Sequence, residues 1–206
     1  MAQHTPTIKN ETPLAPRAHS RHRPPRLPGY DYSQAGAYFI TLCTHHRMLL
    51  FGQIENGQMR PNNAGLMVAD VWETLPRLFP DLALDGFTIM PNHIHGILFI
   101  SPPRHAFPFS QKGLALPVGD DPRSGHIRAK GPHTIGNIVG AFKSLSTLRY
   151  INNVKTSHWP SFEGRLWQPN YYEHVIRNES NLTQIRTYIA NNPAQWSLDR
   201  ENPINF

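Results

Sequence analysis

Two apolar runs set the strongest limit on what this chain can fold into. Residues 84–90 (LDGFTIM) and 93–100 (HIHGILFI) are separated only by Pro91-Asn92. Each run is long enough for a strand, and a gap of two residues leaves no room for a crossover. The pair is therefore expected to form adjacent antiparallel strands, with side chains alternating between two faces. A parallel sheet of repeated strand–helix units does not begin this way.

The flanking segments fit the same architecture. Residues 37–43 (AYFITLC) are β-branched and aromatic and read as a strand. Residues 48–54 read as a second strand or extended piece, followed by Asn56-Gly57, a pair suited to a type I′ turn. Residues 64–79 carry Leu66, Val68, Val71, Trp72, Leu75 and Leu78 at helical spacing after Asn62-Asn63, which can cap, and Pro76 is expected to end or kink that helix late. A second helix is expected over 134–152, through Ile135, Ile138, Val139, Phe142, Leu145 and Leu148. Residues 166–176 read as an aromatic strand. A last helix, capped by Asn178 or Ser180, is expected to run to about Asn191 before Pro193 stops it. The order predicts an α+β fold, a central antiparallel sheet flanked by helices.

Composition narrows the class. The 206 residues include a single cysteine, which excludes an intramolecular disulfide and a cysteine-rich zinc module. No stretch approaches the roughly 18 apolar residues of a membrane span, and the first twenty residues lack the apolar core of a secretory signal. These features predict a soluble cytoplasmic protein. Basic residues outnumber acidic ones, 20 to 14, for a net charge of +6, which favours an anionic partner. The excess lies in two places. Residues 1–25 form a Pro-, His- and Arg-rich arm without periodicity, expected to be disordered or loosely docked, and the C-terminal half holds the rest. Residues 26–200 are expected to form one domain, with a proline-rich loop or insertion at 101–133.

Three patterns could carry chemistry. His93-Ile94-His95 places two imidazoles on one face of a strand, where they can bind a divalent ion. Tyr188 and Asn192 are four residues apart on a helix and so are neighbours; the same spacing serves equally a core tyrosine and a helix-ending asparagine. The segment from Leu166 to Arg177 interleaves Trp167, Tyr171 and Tyr172 with His174 and Arg177. That mixture can stack on bases and hold phosphates, or it can form aromatic cross-strand pairs.

Together these motifs resemble the HUH-type single-tyrosine transposases, in particular the REP-associated branch. Four pieces carry the resemblance, in order, over residues 26 to 198: Arg26-Leu27-Pro28-Gly29-Tyr30-Asp31-Tyr32; Met90-Pro91-Asn92-His93-Ile94-His95-Gly96; Leu166-Trp167-Gln168-Pro169 with Tyr171-Tyr172-Glu173-His174-Val175-Ile176-Arg177; and Tyr188-Ile189 followed by Asn192-Pro193. In that family a His-hydrophobe-His motif holds the metal, matched by His93 and His95. A tyrosine on a C-terminal helix is the nucleophile, matched by Tyr188. A Gln or Asn four residues later adds a ligand, matched by Asn192.

The resemblance implies a ferredoxin-like HUH fold and an enzyme that cleaves and rejoins single-stranded or hairpin DNA through a 5′-phosphotyrosine link, as in DNA transposition. It implies Mg²⁺ or Mn²⁺ as cofactor; imidazole suits Mn²⁺ better than Mg²⁺. A homodimer and a monomer both occur among relatives, and a nucleoid-associated place in the cytoplasm follows from the substrate. Candidate DNA contacts are Arg23, Arg26, Lys143, Arg149, Arg165, Trp167, Tyr171, Tyr172, His174, Arg177 and Arg186. The alternative is a domesticated, catalytically silent nucleic-acid-binding protein. An unrelated zinc hydrolase has no HExxH motif to support it.

Overall fold

The computed structural model describes residues 34–101 and 134–205. The basic arm with Arg23, the neighbouring Arg26, and nearly all of the 101–133 insertion lie outside the described residues. Six strands and three α-helices follow in the order β1 (Gly36–Cys43), β2 (Gly52–Glu55), β3 (Gln58–Pro61), α1 (Asn63–Leu78), β4 (Leu82–Ile89), β5 (His93–Ile100), α2 (Ile135–Ser157), β6 (Tyr172–Ile176) and α3 (Glu179–Asn191). Short 3₁₀ turns span His45–Arg47, Pro193–Leu198 and Pro203–Asn205.

The main sheet has the order β4-β5-β1-β6, and every neighbouring pair is antiparallel. Strand alternation divides its side chains between two layers. Tyr38, Ile40 and Leu42 of β1 join Ile94 and Leu98 of β5 on one face. They meet Val68, Val71, Trp72 and Leu75 of α1 and Ile138, Val139 and Phe142 of α2. Phe39, Ile97 and Ile176 occupy the other face, under Leu182, Ile185 and Ile189 of α3. Helices thus flank the sheet on both sides, and among the described residues α3 is the one α-helix on the second face.

The local signals act as the residue types require. Asn62 caps α1 by accepting from the Gly65 amide at 3.0 Å, and Asn178 caps α3 by accepting from the Asn181 amide at 2.8 Å. Asn56 and Gly57 adopt φ of 51° and 73°, the positive values a type I′ turn needs.

Three expectations are corrected. Of residues 48–54, read as a strand or extended piece, only those from Gly52 onward form a strand, which pairs with β3 in a separate two-stranded sheet; Leu50 and Phe51 are buried in the core. The second helix runs five residues further than expected, to Ser157, where His158 ends it in a left-handed conformation. The strand expected over 166–176 is broken. Trp167 makes an isolated bridge to Thr44, and regular pairing resumes only at Tyr172. Pro169 has no N–H to donate, and the freed carbonyls of Gln168, Pro169 and Asn170 all accept from the Lys143 ammonium, at 2.7, 3.3 and 3.2 Å.

One glycine fixes the packing directly behind the histidines. A Cβ on Gly96 would run into Cζ2 and Cη2 of Trp72, well inside van der Waals contact. Trp72 is 2% exposed and stacks on Phe87 with ring centroids 4.8 Å apart. Gly96→Ala is therefore expected to destabilise the fold by about 1–3 kcal/mol, a typical overpacking cost. Urea unfolding measures it. Trp72→Phe removes the two clashing atoms, so the double variant should lose less than the sum of the single losses.

Candidate active site

The period of two puts His93 and His95 on the α3 face of β5, in line with Ile97. Their cross-strand partners on β1 are Cys43 and Thr41. Both rings are buried, at 0% and 3% exposure, and their Nε2 atoms stand 3.1 Å apart. Each ring is held from behind. His93 Nδ1 lies 2.8 Å from Asn92 Oδ1, and His95 Nδ1 lies 2.8 Å from Thr41 Oγ1. Phe39 stacks on His95 at 5.4 Å. Burial pushes His93 down to about 3, slightly opposed by the Asn192 amide beside it. Burial first and the neighbouring His93 second push His95 well below the ordinary histidine range. Both imidazoles are therefore neutral at pH 7, the form that ligates metals.

Helix α3 brings Tyr188 to this pair. Its hydroxyl is 3.4 Å from His95 Nε2, and its ring meets the His95 ring edge-on at 5.2 Å. Burial, and then the Asp199 carboxylate, raise the Tyr188 phenol above its ordinary range, while Asn192 opposes them. Asn192 follows one turn later and is 2% exposed, and its Oδ1 is buried with no hydrogen-bond partner among the described residues. The chain then turns back through Pro193–Leu198 and presents Asp199, whose Oδ2 is 3.8 Å from His93 Nε2. Burial raises the Asp199 carboxyl, against the lowering effect of the Glu201 amide and of Asn192.

His93, His95 and Asp199 offer ligand atoms that all lie within 4.8 Å of one another. Two neutral imidazoles, a carboxylate and an orphaned amide oxygen fit a divalent cation, since a buried polar atom without a partner is otherwise destabilising. The structure thus brings together all four residues singled out as His93, His95, Tyr188 and Asn192. Asp199, Asn92 and Thr41 were not among them. Asn92 adjoins the motif and Thr41 lies two strand positions before Cys43, but nothing in the spacing of Asp199 marks it.

The candidate DNA contacts fare differently. Trp167 is 4% exposed, its ring tilted against Phe51 and Phe142 and its Nε1 donating to Ser146 Oγ at 2.9 Å, so it is a core residue and not a stacking platform. Lys143 is occupied by the three carbonyls, and burial lowers it to about 8. Arg149 pairs with Asp70. Arg186 forks onto Asp85 through Nε at 2.9 Å and Nη2 at 2.7 Å, which ties α3 to the bulge in β4. His174 Nε2 meets Asn181 Oδ1 at 3.1 Å, joining β6 to α3. Tyr171 is half-buried against the α1/α2 layer. Tyr172 is half-buried and meets Phe39 edge-on at 6.1 Å. Arg165 and Arg177 are exposed. No helix among the described residues is long and apolar enough to cross a membrane.

Fold and site together define an α+β protein with a buried histidine pair able to hold a cation and a tyrosine at its edge. No family model matches the chain. The chain belongs to the same family as an uncharacterized protein of Haemophilus influenzae, to which it is 41% identical over 177 residues, or 85% of this chain and 89% of that protein. Among solved structures, it resembles a REP-associated tyrosine transposase bound to a REP hairpin, with a TM-score of 0.48 and 18% identity over 81% of this chain and 71% of the other. It also resembles a candidate transposase of Deinococcus radiodurans R1, with a TM-score of 0.43 and 21% identity over 79% and 93% of the two chains.

Proposed function

We propose that this protein is a metal-dependent tyrosine nuclease and strand transferase acting on single-stranded or hairpin DNA, as in DNA transposition. The observation that carries the reading is the Tyr188 hydroxyl, 3.4 Å from Nε2 of a buried histidine pair. The orphaned Oδ1 of Asn192 one turn further along the same helix adds to it.

His93, His95, Asn192 and Asp199 would hold the cation. Bound there, a divalent cation supplies positive charge that polarises a scissile phosphate and favours the phenolate of Tyr188. The chain's own residues do the rest. Phe39 and the His95 ring confine the Tyr188 side chain, so its oxygen starts beside the site. That oxygen attacks phosphorus as the bond to the 3′ oxygen breaks. A tyrosine–phosphate ester forms at the 5′ end, and a proton equivalent to the one lost by the phenol ends on the freed 3′-hydroxyl. Attack by that or another 3′-hydroxyl reverses the step and rejoins DNA without ATP. Of the candidate contacts, exposed Arg165 and Arg177 are proposed to meet phosphates; Arg23 and Arg26 are proposed as further contacts on sequence grounds.

Incubation with end-labelled hairpin DNA and Mn²⁺ or Mg²⁺ tests the reading. Wild type should give a protein–DNA adduct that survives denaturation. Tyr188→Phe should lose it wholly while still binding DNA, and Tyr172→Phe should keep it. An adduct in Tyr188→Phe, or none in wild type across both metals and varied hairpins, would sink the assignment.

A further inference from the structure

Asn92 is fully buried, and its side chain uses every hydrogen-bonding group it has. Its Nδ2 donates to the Arg47 carbonyl at 3.2 Å and to the Glu201 carbonyl at 2.6 Å. Those two acceptors fix which end of the amide is nitrogen, because carbonyls cannot donate. Its Oδ1 therefore faces His93 Nδ1, at 2.8 Å. An amide oxygen only accepts, so the proton of the neutral ring sits on Nδ1. The lone pair is left on Nε2, which faces His95 Nε2 and Asp199.

Thr41 does not constrain His95 in this way. A hydroxyl can donate or accept, so the contact between Thr41 Oγ1 and His95 Nδ1 permits either tautomer. With His93 Nε2 as an acceptor, the 3.1 Å contact between the rings requires the proton on His95 Nε2. The two rings are thus held differently, one with a fixed lone pair and one adaptable.

We propose that Asn92 is a positioning residue that locks His93 in the Nδ1–H tautomer and so presents Nε2 as a ready ligand, while Thr41 lets His95 switch tautomer when a cation arrives. The proposal rests on the cation site described above. Asn92 reaches the cation only through His93 and is not a catalytic residue. Its bonds to Arg47 and Glu201 also couple that lone pair to the seating of the C-terminal segment that carries Asp199.

Long-range ¹H–¹⁵N correlation spectra of the full-length protein, without DNA, read the tautomers directly. Without added cation, His93 should be Nδ1–H and His95 Nε2–H; with Zn²⁺ as a diamagnetic probe, both should be Nδ1–H. Asn92→Asp gives up both Nδ2 donor bonds, to the Arg47 and Glu201 carbonyls, but retains the acceptor for His93 and should keep that ring as Nδ1–H. Asn92→Ala should release His93 to Nε2–H and weaken Zn²⁺ binding about 10- to 100-fold, the usual effect of losing a ligand's supporting bond. A wild-type His93 protonated on Nε2, or an Asn92→Ala variant that keeps Nδ1–H, would overturn the proposal. Should Asn92→Ala fail to fold, the wild-type and Asn92→Asp spectra still decide it. A protein with these tautomers that forms no DNA adduct refutes the proposed function and leaves the role of Asn92 standing.

Discussion

His93→Ala and His95→Ala should each reduce DNA cleavage on the order of 10³-fold or more, because a lost ligand removes several kcal/mol of charge stabilisation at the phosphate. Their Nε2 atoms are 3.1 Å apart and both rings are buried, so each substitution removes one of the two imidazoles from the site. Asn192→Ala should cost less, since a neutral amide oxygen can be replaced by water. EDTA should abolish cleavage by wild type while leaving DNA binding largely intact. Gel assays of cleavage and binding on the same samples separate these outcomes, and cleavage at full rate in EDTA would count against the whole assignment.

Acid should unfold the cation-free protein earlier than its composition suggests. His93 has a folded value of about 3, against 6.5 when unfolded, and His95 is lowered in the same direction. Between about 3 and 6.5 the unfolded chain binds protons that the folded protein excludes. Stability therefore falls as pH falls through that window. For His93 alone the full loss is about 5 kcal/mol, which is comparable with the whole stability of many domains. Asp199 works in the opposite direction, because its raised carboxyl favours the folded state at low pH. Urea midpoints in EDTA at about pH 7 and about pH 4.5 measure the slope. His93→Gln, which cannot titrate, should show a clearly shallower slope. Equal slopes would mean that His93 is protonated in the folded state.

The site was legible in the sequence where one element carries the pattern. His93 and His95 share a strand face by period alone, and Tyr188 and Asn192 share a helix face. Asp199 was not legible, because it reaches His93 through a reversal after Pro193 that no local periodicity encodes. The expected DNA contacts show the same limit from the other side. Lys143, Arg149 and Arg186 carry the charge a phosphate contact needs, yet each is held by partners distant in sequence: the Gln168–Asn170 carbonyls, Asp70 and Asp85. Trp167 has a ring that could stack on a base, but Phe51 and Phe142 pack against it in the core. Residue type states what a side chain can do, and only the tertiary fold decides whether it remains free to do it. The strand expected over 166–176 failed for a related reason, since a broken run is tolerated where a distant lysine can satisfy the carbonyls.

The unequal covering of the sheet has a kinetic consequence. α1 and α2 clamp one face with a continuous aromatic and aliphatic layer, whereas α3 buries only Leu182, Ile185 and Ile189 on the other. In hydrogen exchange, the amides of α3 should lose protection through a partial opening that leaves β1, β5, α1 and α2 intact. Such an opening would carry Tyr188 and Asn192 away together and expose the Tyr188 side of His95, an entry route for the proposed DNA strand that leaves the domain folded.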